Sequence, residues 1–315
     1  MPLHPAAQAF LEAVGSIPQP PDIDVAEFRE QLSRLLPQAT ESAGVANVID
    51  RQIPGGTGQP LNVRIYTPAV QTPGLRRSVP AAVWLHGGSF VRGTLDAFDA
   101  QRRAFANLSG FAVVAVDQRL APEARFPAPV EDADAAWQWT RQHAGELGID
   151  PALIGVAGES SGGNLAAATT LLAAARGEAS PAFQILFAPV LDATLAMPTI
   201  TELGEGYVLT SAQMSWMYDQ YAPGVDPRTP LLSPLHAPSL RGLPPAAIVT
   251  IEYDPARDEG EAYADRLAAA GVAVHRVRID GMLHHFPGPA AIATVAELSR
   301  RALADISTPG QEPAR

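Results

Sequence analysis

The sequence predicts an α/β fold, a mostly parallel sheet covered by helices on both faces. Two observations carry that prediction. From Val45 onward, short apolar runs rich in β-branched residues alternate with longer helical stretches, the order expected of strand–helix–strand units. Most of those runs are apolar throughout, as strands buried on both faces are. The composition agrees: 47% hydrophobic and only 17% charged, enough to bury a large core and unlike a disordered or coiled-coil chain.

Residues 1–45 are punctuated by proline and read as helices. Val25 to Leu36 carries Val25, Phe28, Leu32, Leu35 and Leu36 at helical spacing, with Asp24 placed to cap it. Leu61–Tyr66 alternates like a half-buried strand. Ala81–Leu85, Phe111–Val116, Leu153–Val156, Phe183–Phe187 and Ala246–Ile251 read as continuous apolar strands, and Val272–Ile279 is strand-like. Helical patterns cover Val130–His143, Asn164–Arg176, Glu259–Ala270 and Ala290–Ala304. Between Leu191 and Leu243 the alternation stops. That segment holds Met214, Trp216, Met217, Tyr218 and Tyr221, followed by Pro223, Pro227, Pro230, Pro234 and Pro238. An insertion of this length after a strand is usually functional, such as a lid or cap. Its aromatic and methionine side chains suit either the insertion's own core or a wall facing substrate.

Several function classes are disfavoured at once. A net charge of −11 repels phosphate backbones and anionic lipids, so nucleic acid is not an expected partner. With no cysteine there are no disulfides, thiolate zinc sites or cysteine nucleophile. All 22 basic residues counted as Lys or Arg are arginine, which removes Schiff-base chemistry, a Ser–Lys dyad and a phosphate-loop lysine. No apolar run of about 18 residues predicts a membrane span. The first residues lack the basic and apolar regions of a signal peptide, so the expected compartment is the cytoplasm.

Four motifs lie at predicted strand ends, where sites in open α/β sheets form. Gly158-Glu159-Ser160-Ser161-Gly162 fits G-x-S-x-G, a weak pattern by itself. Its context is stronger: it follows one predicted strand and opens a predicted helix, as a nucleophile elbow does. Side chains at positions 158 and 162 would clash across so tight a turn, and the helix N-terminus favours negative charge beside Ser160. The plainer reading is a glycine-rich turn with an incidental serine. His86-Gly87-Gly88-Ser89-Phe90 follows Ala81–Leu85. Acyl transfer builds an oxyanion that preorganised N–H donors must meet. Gly87, Gly88 and Ser89 are the candidate donors, with the N–H of Ser161 as their partner. His86 could instead belong to an ordinary turn, or bind a metal, although no carboxylate or second histidine stands at ligand spacing.

Tyr253-Asp254-Pro255-Ala256-Arg257-Asp258 follows Ala246–Ile251. Asp254 stands at the strand exit, where a triad acid would be, or else is an Asp-Pro turn residue. Asp258, with Glu261 three residues on, reads as an N-cap in a box-like arrangement. Gly281-Met282-Leu283-His284-His285-Phe286 precedes the last helix. A histidine on this loop can reach Ser160 as general base while Asp254 fixes its tautomer.

Taken together, these motifs resemble those of the bacterial hormone-sensitive-lipase-like (family IV) esterases of the α/β-hydrolase fold, from about Val79 to Pro287. The family's His-Gly-Gly-Gly loop corresponds to His86-Gly87-Gly88-Ser89. Its Gly-Asp-Ser-Ala-Gly-Gly elbow corresponds to Gly158 through Gly163, and its Asp-Pro-Leu-x-Asp-Glu segment to Asp254 through Glu259. Its Gly-Met-x-His-x-Phe segment corresponds to Gly281 through Phe286, which selects His284 over His285. A further signature, Tyr-Arg-Leu-Ala-Pro-Glu, corresponds to Gln118 through Glu123 and looks architectural. The chain departs from the family at Ser89, Gln118 and Glu159.

The resemblance implies an α/β-hydrolase core at 46–191 and 244–315, with a helical cap built from residues 1–45 and 192–243. It implies a Ser160–His284–Asp254 triad cleaving short- to medium-chain acyl esters without cofactor or metal. Phe90, Met214, Met217 and Tyr218 are candidates for the substrate wall. The expected partner is a small-molecule ester, and the expected state a monomer or homodimer. An amidase, arylformamidase or carbamate hydrolase with the same triad is the alternative within enzymes. A ligand-binding homologue without catalysis is the alternative outside them.

Overall fold

The computed structural model describes residues 1–15, 17–35, 44–69, 78–177, 179–286, 288 and 290–306. Among them, strands β1 (Asn47–Pro54), β2 (Pro60–Thr67), β3 (Val79–Leu85), β4 (Ala112–Val116), β5 (Ile149–Glu159), β6 (Gln184–Phe187), β7 (Ala246–Tyr253) and β8 (Val274–Leu283) form one sheet. Their order is β1-β2-β4-β3-β5-β6-β7-β8. β2 runs antiparallel to both its neighbours, and every pairing from β4 to β8 is parallel.

The unbroken apolar texture of the central strands has a direct cause. All of β3 is buried. Ala81, Val83 and Leu85 enter the core on one face, and Ala82 and Trp84 enter the core on the other. Helices α4 (Ala128–Gln142), α5 (Ser161–Arg176) and α8 (Arg257–Ala269) cover the first face. Helices α3 (Asp99–Ser109) and α9 (Ala291–Ile306) cover the second, packed against each other. A strand sandwiched in this way has no solvent side to alternate toward.

Two elements carry no pattern that sequence reading could use. β1 has a single buried residue, Ile53. α3 buries Arg102, Phe105, Ala106 and Ser109, a helical stripe whose leading position is an arginine. A charge at a core position defeats a hydrophobic-period search.

The amino-terminal part contains α1 (Pro5–Val14) and α2 (Val25–Leu35). Asp24 caps α2 as expected, accepting the N–H of Glu27 at 2.9 Å. Phe28 of α2 is fully buried and meets Trp216 edge-on at 5.6 Å. Trp216 belongs to α7 (Ser211–Tyr221), the longer helix of the 192–243 segment, which also holds α6 (Pro198–Glu202). The two segments expected to form a cap therefore touch. Leu36, placed at the end of the amphipathic pattern, lies outside the described residues, as do Pro287 and residues 307–315.

Asp258 is a correction. It does not cap α8, which starts at Arg257, with Ala256, two residues before Asp258, at the cap position and no side-chain cap bond. The N–H of Ala256 goes instead to Asp254 Oδ1 at 2.8 Å, an Asx turn that begins the helix sooner. Glu261, the other half of the expected box, pairs with Arg278 at 2.6 Å. Among the described residues no helix is long and apolar enough to cross a membrane.

Candidate active site

β5 ends at Glu159, α5 begins at Ser161, and Ser160 makes the turn between them with φ 54° and ψ −120°. That backbone is unfavourable for a residue with a side chain and persists because its surroundings over-determine it. The Ser160 N–H donates to Phe187 O at 2.8 Å, and its carbonyl accepts the N–H of Asn164 at 3.2 Å. The flanking glycines are sterically required. A Cβ at Gly158 would lie 2.1 Å from Gly162 O, and one at Gly162 would lie 2.1 Å from Leu85 O.

Parallel β5, β6, β7 and β8 bring the ends of β5, β7 and β8 to one edge of the sheet. Ser160, Asp254 and His284 meet there. Ser160 Oγ lies 2.9 Å from His284 Nε2, and His284 Nδ1 lies 2.7 Å from Asp254 Oδ2. Asp254 is fully buried, and the His284 side chain is 5% exposed. A carboxylate can only accept, so Nδ1 carries the proton and Nε2 is left to accept from the Ser160 hydroxyl.

His285 plays no part in that chain. Its ring meets the His284 ring edge-on at 5.2 Å, and its Nδ1 is buried without a partner. Burial, with the neighbouring His284 and Arg92 charges, holds His285 well below the ordinary imidazole range.

The loop after β3 lies directly on the elbow. A Cβ at Gly87 would come 3.0 Å from Glu159 O and 3.3 Å from Ser160 Cβ. Gly88, Ser89 and Phe90 all have positive φ, at 124°, 60° and 62°. The N–H groups of Gly88 and Ser89 have no acceptor among the described residues. That of Ser161, the first residue of α5, has none within its own helix. Gly87 is the second correction: its N–H donates to Glu159 Oε1 at 3.0 Å and is not free to meet an oxyanion. His86 is buried with its ring stacked on Phe98; burial lowers its pKa. Gln118 donates to the His86 carbonyl at 2.9 Å, which gives that family departure an architectural role.

Glu159 was visible in sequence only as a departure, and its surroundings were not visible at all. Its carboxylate accepts from Trp84 Nε1, the Gly87 N–H and, at 2.5 Å, Arg102 Nη2. Arg102 is 1% exposed. Arginine inside a helix missed in the sequence left no signal by which this pair could have been found.

Phe90, Met214, Met217 and Tyr218 gather in the core on the α4, α5 and α8 side of the sheet, none more than 8% exposed. The Phe90 ring stacks on Tyr221 at 3.9 Å and lies 5.9 Å from Tyr218. The Tyr218 hydroxyl is buried without a partner. Among the described residues no three His, Asp or Glu side chains gather where a metal ion could be held.

Comparison with known proteins adds to this geometry. A family model described as alpha/beta hydrolase fold matches residues 82–288. The chain is 37% identical over 262 residues to an ethyl acetate hydrolase of Pseudomonas putida, covering 82% of this chain and 81% of that one. It is 40% identical over 252 residues to the carboxylesterase NlhH of Mycobacterium tuberculosis, covering 78% and 77%. Among solved structures, a hyperthermophilic esterase from Pyrobaculum calidifontis superimposes with a TM-score of 0.83 at 40% identity, covering 98% of this chain and 97% of that one.

Proposed function

Because the chain belongs to the hormone-sensitive-lipase-like branch of the α/β-hydrolase fold family and is a carboxylic ester hydrolase, we propose that it cleaves short- to medium-chain acyl esters with Ser160 as nucleophile, His284 as general base and Asp254 as its orienting acid. The observation that carries the assignment is the position of His284, with one ring nitrogen on Ser160 and the other on Asp254.

The chemistry follows from the proton positions. Nε2 of His284 takes the Ser160 proton as Oγ attacks the ester carbonyl. The charge that develops on the carbonyl oxygen is met by the N–H groups of Gly88, Ser89 and Ser161, fixed before the reaction starts. Asp254 steadies the imidazolium that forms. The alcohol leaves with the proton from Nε2, and water, activated by the same nitrogen, releases the acid from the Ser160 ester. The similarity to an ethyl acetate hydrolase supports a small acyl group. Phe90, which follows Ser89 in the oxyanion loop and lies 5.9 Å from Tyr218, is the side chain best placed to supply an apolar wall for it, whereas Met214 and Met217, at 0% and 1% exposure, fit the core of the 192–243 segment.

Ser160→Ala is expected to abolish turnover of a short p-nitrophenyl ester while the circular dichroism spectrum stays that of the parent. Turnover by the folded variant would remove Ser160 from the mechanism.

A further inference from the structure

The nucleophile elbow and the oxyanion loop are tied together by one carboxylate, and we infer that Glu159 is a positioning residue for the hydrolysis, setting the oxyanion loop against Ser160 through the N–H of Gly87. The inference rests on the reading of Ser160 and this loop as an acyl-transfer site.

Glu159 immediately precedes Ser160, and its carboxylate is taken up by three donors other than the reacting hydroxyl. Oε1 accepts the Gly87 N–H at 3.0 Å and Arg102 Nη2 at 2.5 Å, and Oε2 accepts Trp84 Nε1. One carboxylate thus joins three elements: Trp84 from β3, Gly87 from the loop and Arg102 from α3. Both oxygens are used, which fixes the carboxylate in rotation as well as in position.

Gly87 is where that anchoring matters. Gly88, Ser89 and Phe90 follow it at positive φ, outside any strand ladder. The Gly87–Glu159 bond is therefore the last tie to the elbow before the two free N–H donors, and one of those donors is on the next residue. A displacement of Gly87 passes straight into Gly88. The contact is also close, since even a Cβ at Gly87 would press on Glu159 O and Ser160 Cβ. Such a surface transmits movement rather than absorbing it.

The charge state supports the same role. A lone carboxylate beside an oxyanion hole would oppose the negative charge that builds there. Arg102 offsets it at 2.5 Å, and the pair is almost wholly enclosed, with side chains 2% and 13% exposed. Arg102 is held in turn, 4.5 Å over the Trp84 ring and 5.2 Å over that of Phe98. Phe98 stacks on His86, 5.5 Å away, at the start of the loop. The circuit from Glu159 through Arg102, Phe98 and His86 returns to Gly87, so the loop is fixed from two directions.

Glu159→Gln tests this. A glutamine has one acceptor oxygen and presents its NH₂ to whichever donor faces the other side, so the three bonds cannot all survive. With a short p-nitrophenyl ester, kcat is expected to fall about 10- to 100-fold, a part of the 10²–10³ cost of deleting an oxyanion donor outright, with KM within about threefold. A trifluoromethyl ketone, which adds Ser160 Oγ to its carbonyl and leaves an oxyanion in the hole, is expected to bind more weakly by the same factor as the loss in kcat/KM. Glu159→Asp keeps the charge on a shorter arm and is expected to retain more kcat than Glu159→Gln. A folded Glu159→Gln enzyme with kcat within about twofold of the parent, or with its loss confined to KM, overturns the inference. Should Glu159→Gln fail to fold, Glu159→Asp and Glu159→Asn decide together: kcat lower by about fivefold or more in the Asn than in the Asp variant at similar KM supports the role of the carboxylate, and equal kcat in the two overturns it. Ser160→Ala is assayed beside them. Turnover there overturns the acyl-enzyme reading, whereas its loss together with an active Glu159→Gln overturns only the role of Glu159.

Discussion

Asp254 divides its carboxylate between two partners: Oδ2 meets His284 Nδ1 at 2.7 Å, and Oδ1 accepts the N–H of Ala256 at 2.8 Å. One oxygen faces the chemistry and the other starts α8. Asp254→Asn separates the two tasks. Its carbonyl oxygen can still accept from Ala256, but its NH₂ group then faces Nδ1 and favours the tautomer with a proton on Nε2, which cannot accept from Ser160. The expected result is a fall in kcat of about 10³–10⁴ with little change in melting temperature. Steady-state kinetics beside a thermal melt reads both, and a kcat within about tenfold of the parent would assign Asp254 to the turn alone.

The adjacent histidines are expected to behave oppositely. His284→Ala removes the general base and should lower kcat by at least about 10³-fold. His285→Ala removes a neutral, buried ring with no partner at Nδ1. It should lower the melting temperature and leave kcat within about tenfold, because a cavity costs stability rather than proton transfer. Kinetics on the two single variants checks this, and a reversed result would move the base one residue along the chain.

Ser89 stands where a third glycine is usual in similar proteins, and its φ of 60° lies in the left-handed region where glycine is at ease. If its contribution is its N–H alone, Ser89→Gly should leave kcat within about threefold of the parent, since the donor remains. A loss of about 100-fold would show that the hydroxyl takes part in holding the oxyanion.

Glu259 gives the fold a pH dependence of known sign. It is fully buried, and Oε2 accepts the N–H groups of Leu191 and Asp192 while Oε1 has no partner. Burial first, and then the nearby Asp192 and Asp254 charges, raise its pKa well above the ordinary 4.5. The folded chain therefore keeps a proton that the unfolded chain releases above 4.5. The stability from this group is full below that value and drains as pH rises through the folded pKa, by about 1.4 kcal/mol per unit. Glu259→Gln keeps an acceptor for both N–H groups and cannot ionise. Its melting temperature should exceed the parent's at pH 8 and converge with it near pH 5. Parallel curves would mean that Glu259 is already ionised in the folded protein.

What the sequence makes legible is what periodicity and turn sterics control. Gly158 and Gly162 could be read as obligatory because so short a connection leaves no room for a Cβ, and the 2.1 Å approaches bear that out. Central strands could be read because burial on both faces removes polar positions. Arg102 could not, since it occupies a core position of α3 and its reason for being there, Glu159, is 57 residues away. The spacing of Asp258 to Glu261 fits a capping box, but Asp254 already supplies the bond that starts the helix. Gly87 reads in sequence like the free donors beside it, because no local pattern reveals that the distant Glu159 side chain claims its N–H.

Ser160 directly follows β5 and His284 directly follows β8, 124 positions apart in the chain and separated in the sheet by β6 and β7. On the proposed mechanism, a growing chain that has completed β5 carries its serine with nothing to activate it. Reactivity arrives only when β6, β7 and β8 have added in turn to the sheet edge. Recovery of esterase activity after dilution from denaturant should therefore trail the return of secondary structure. On that reading chemical competence is a property of the finished sheet edge and not of the elbow alone.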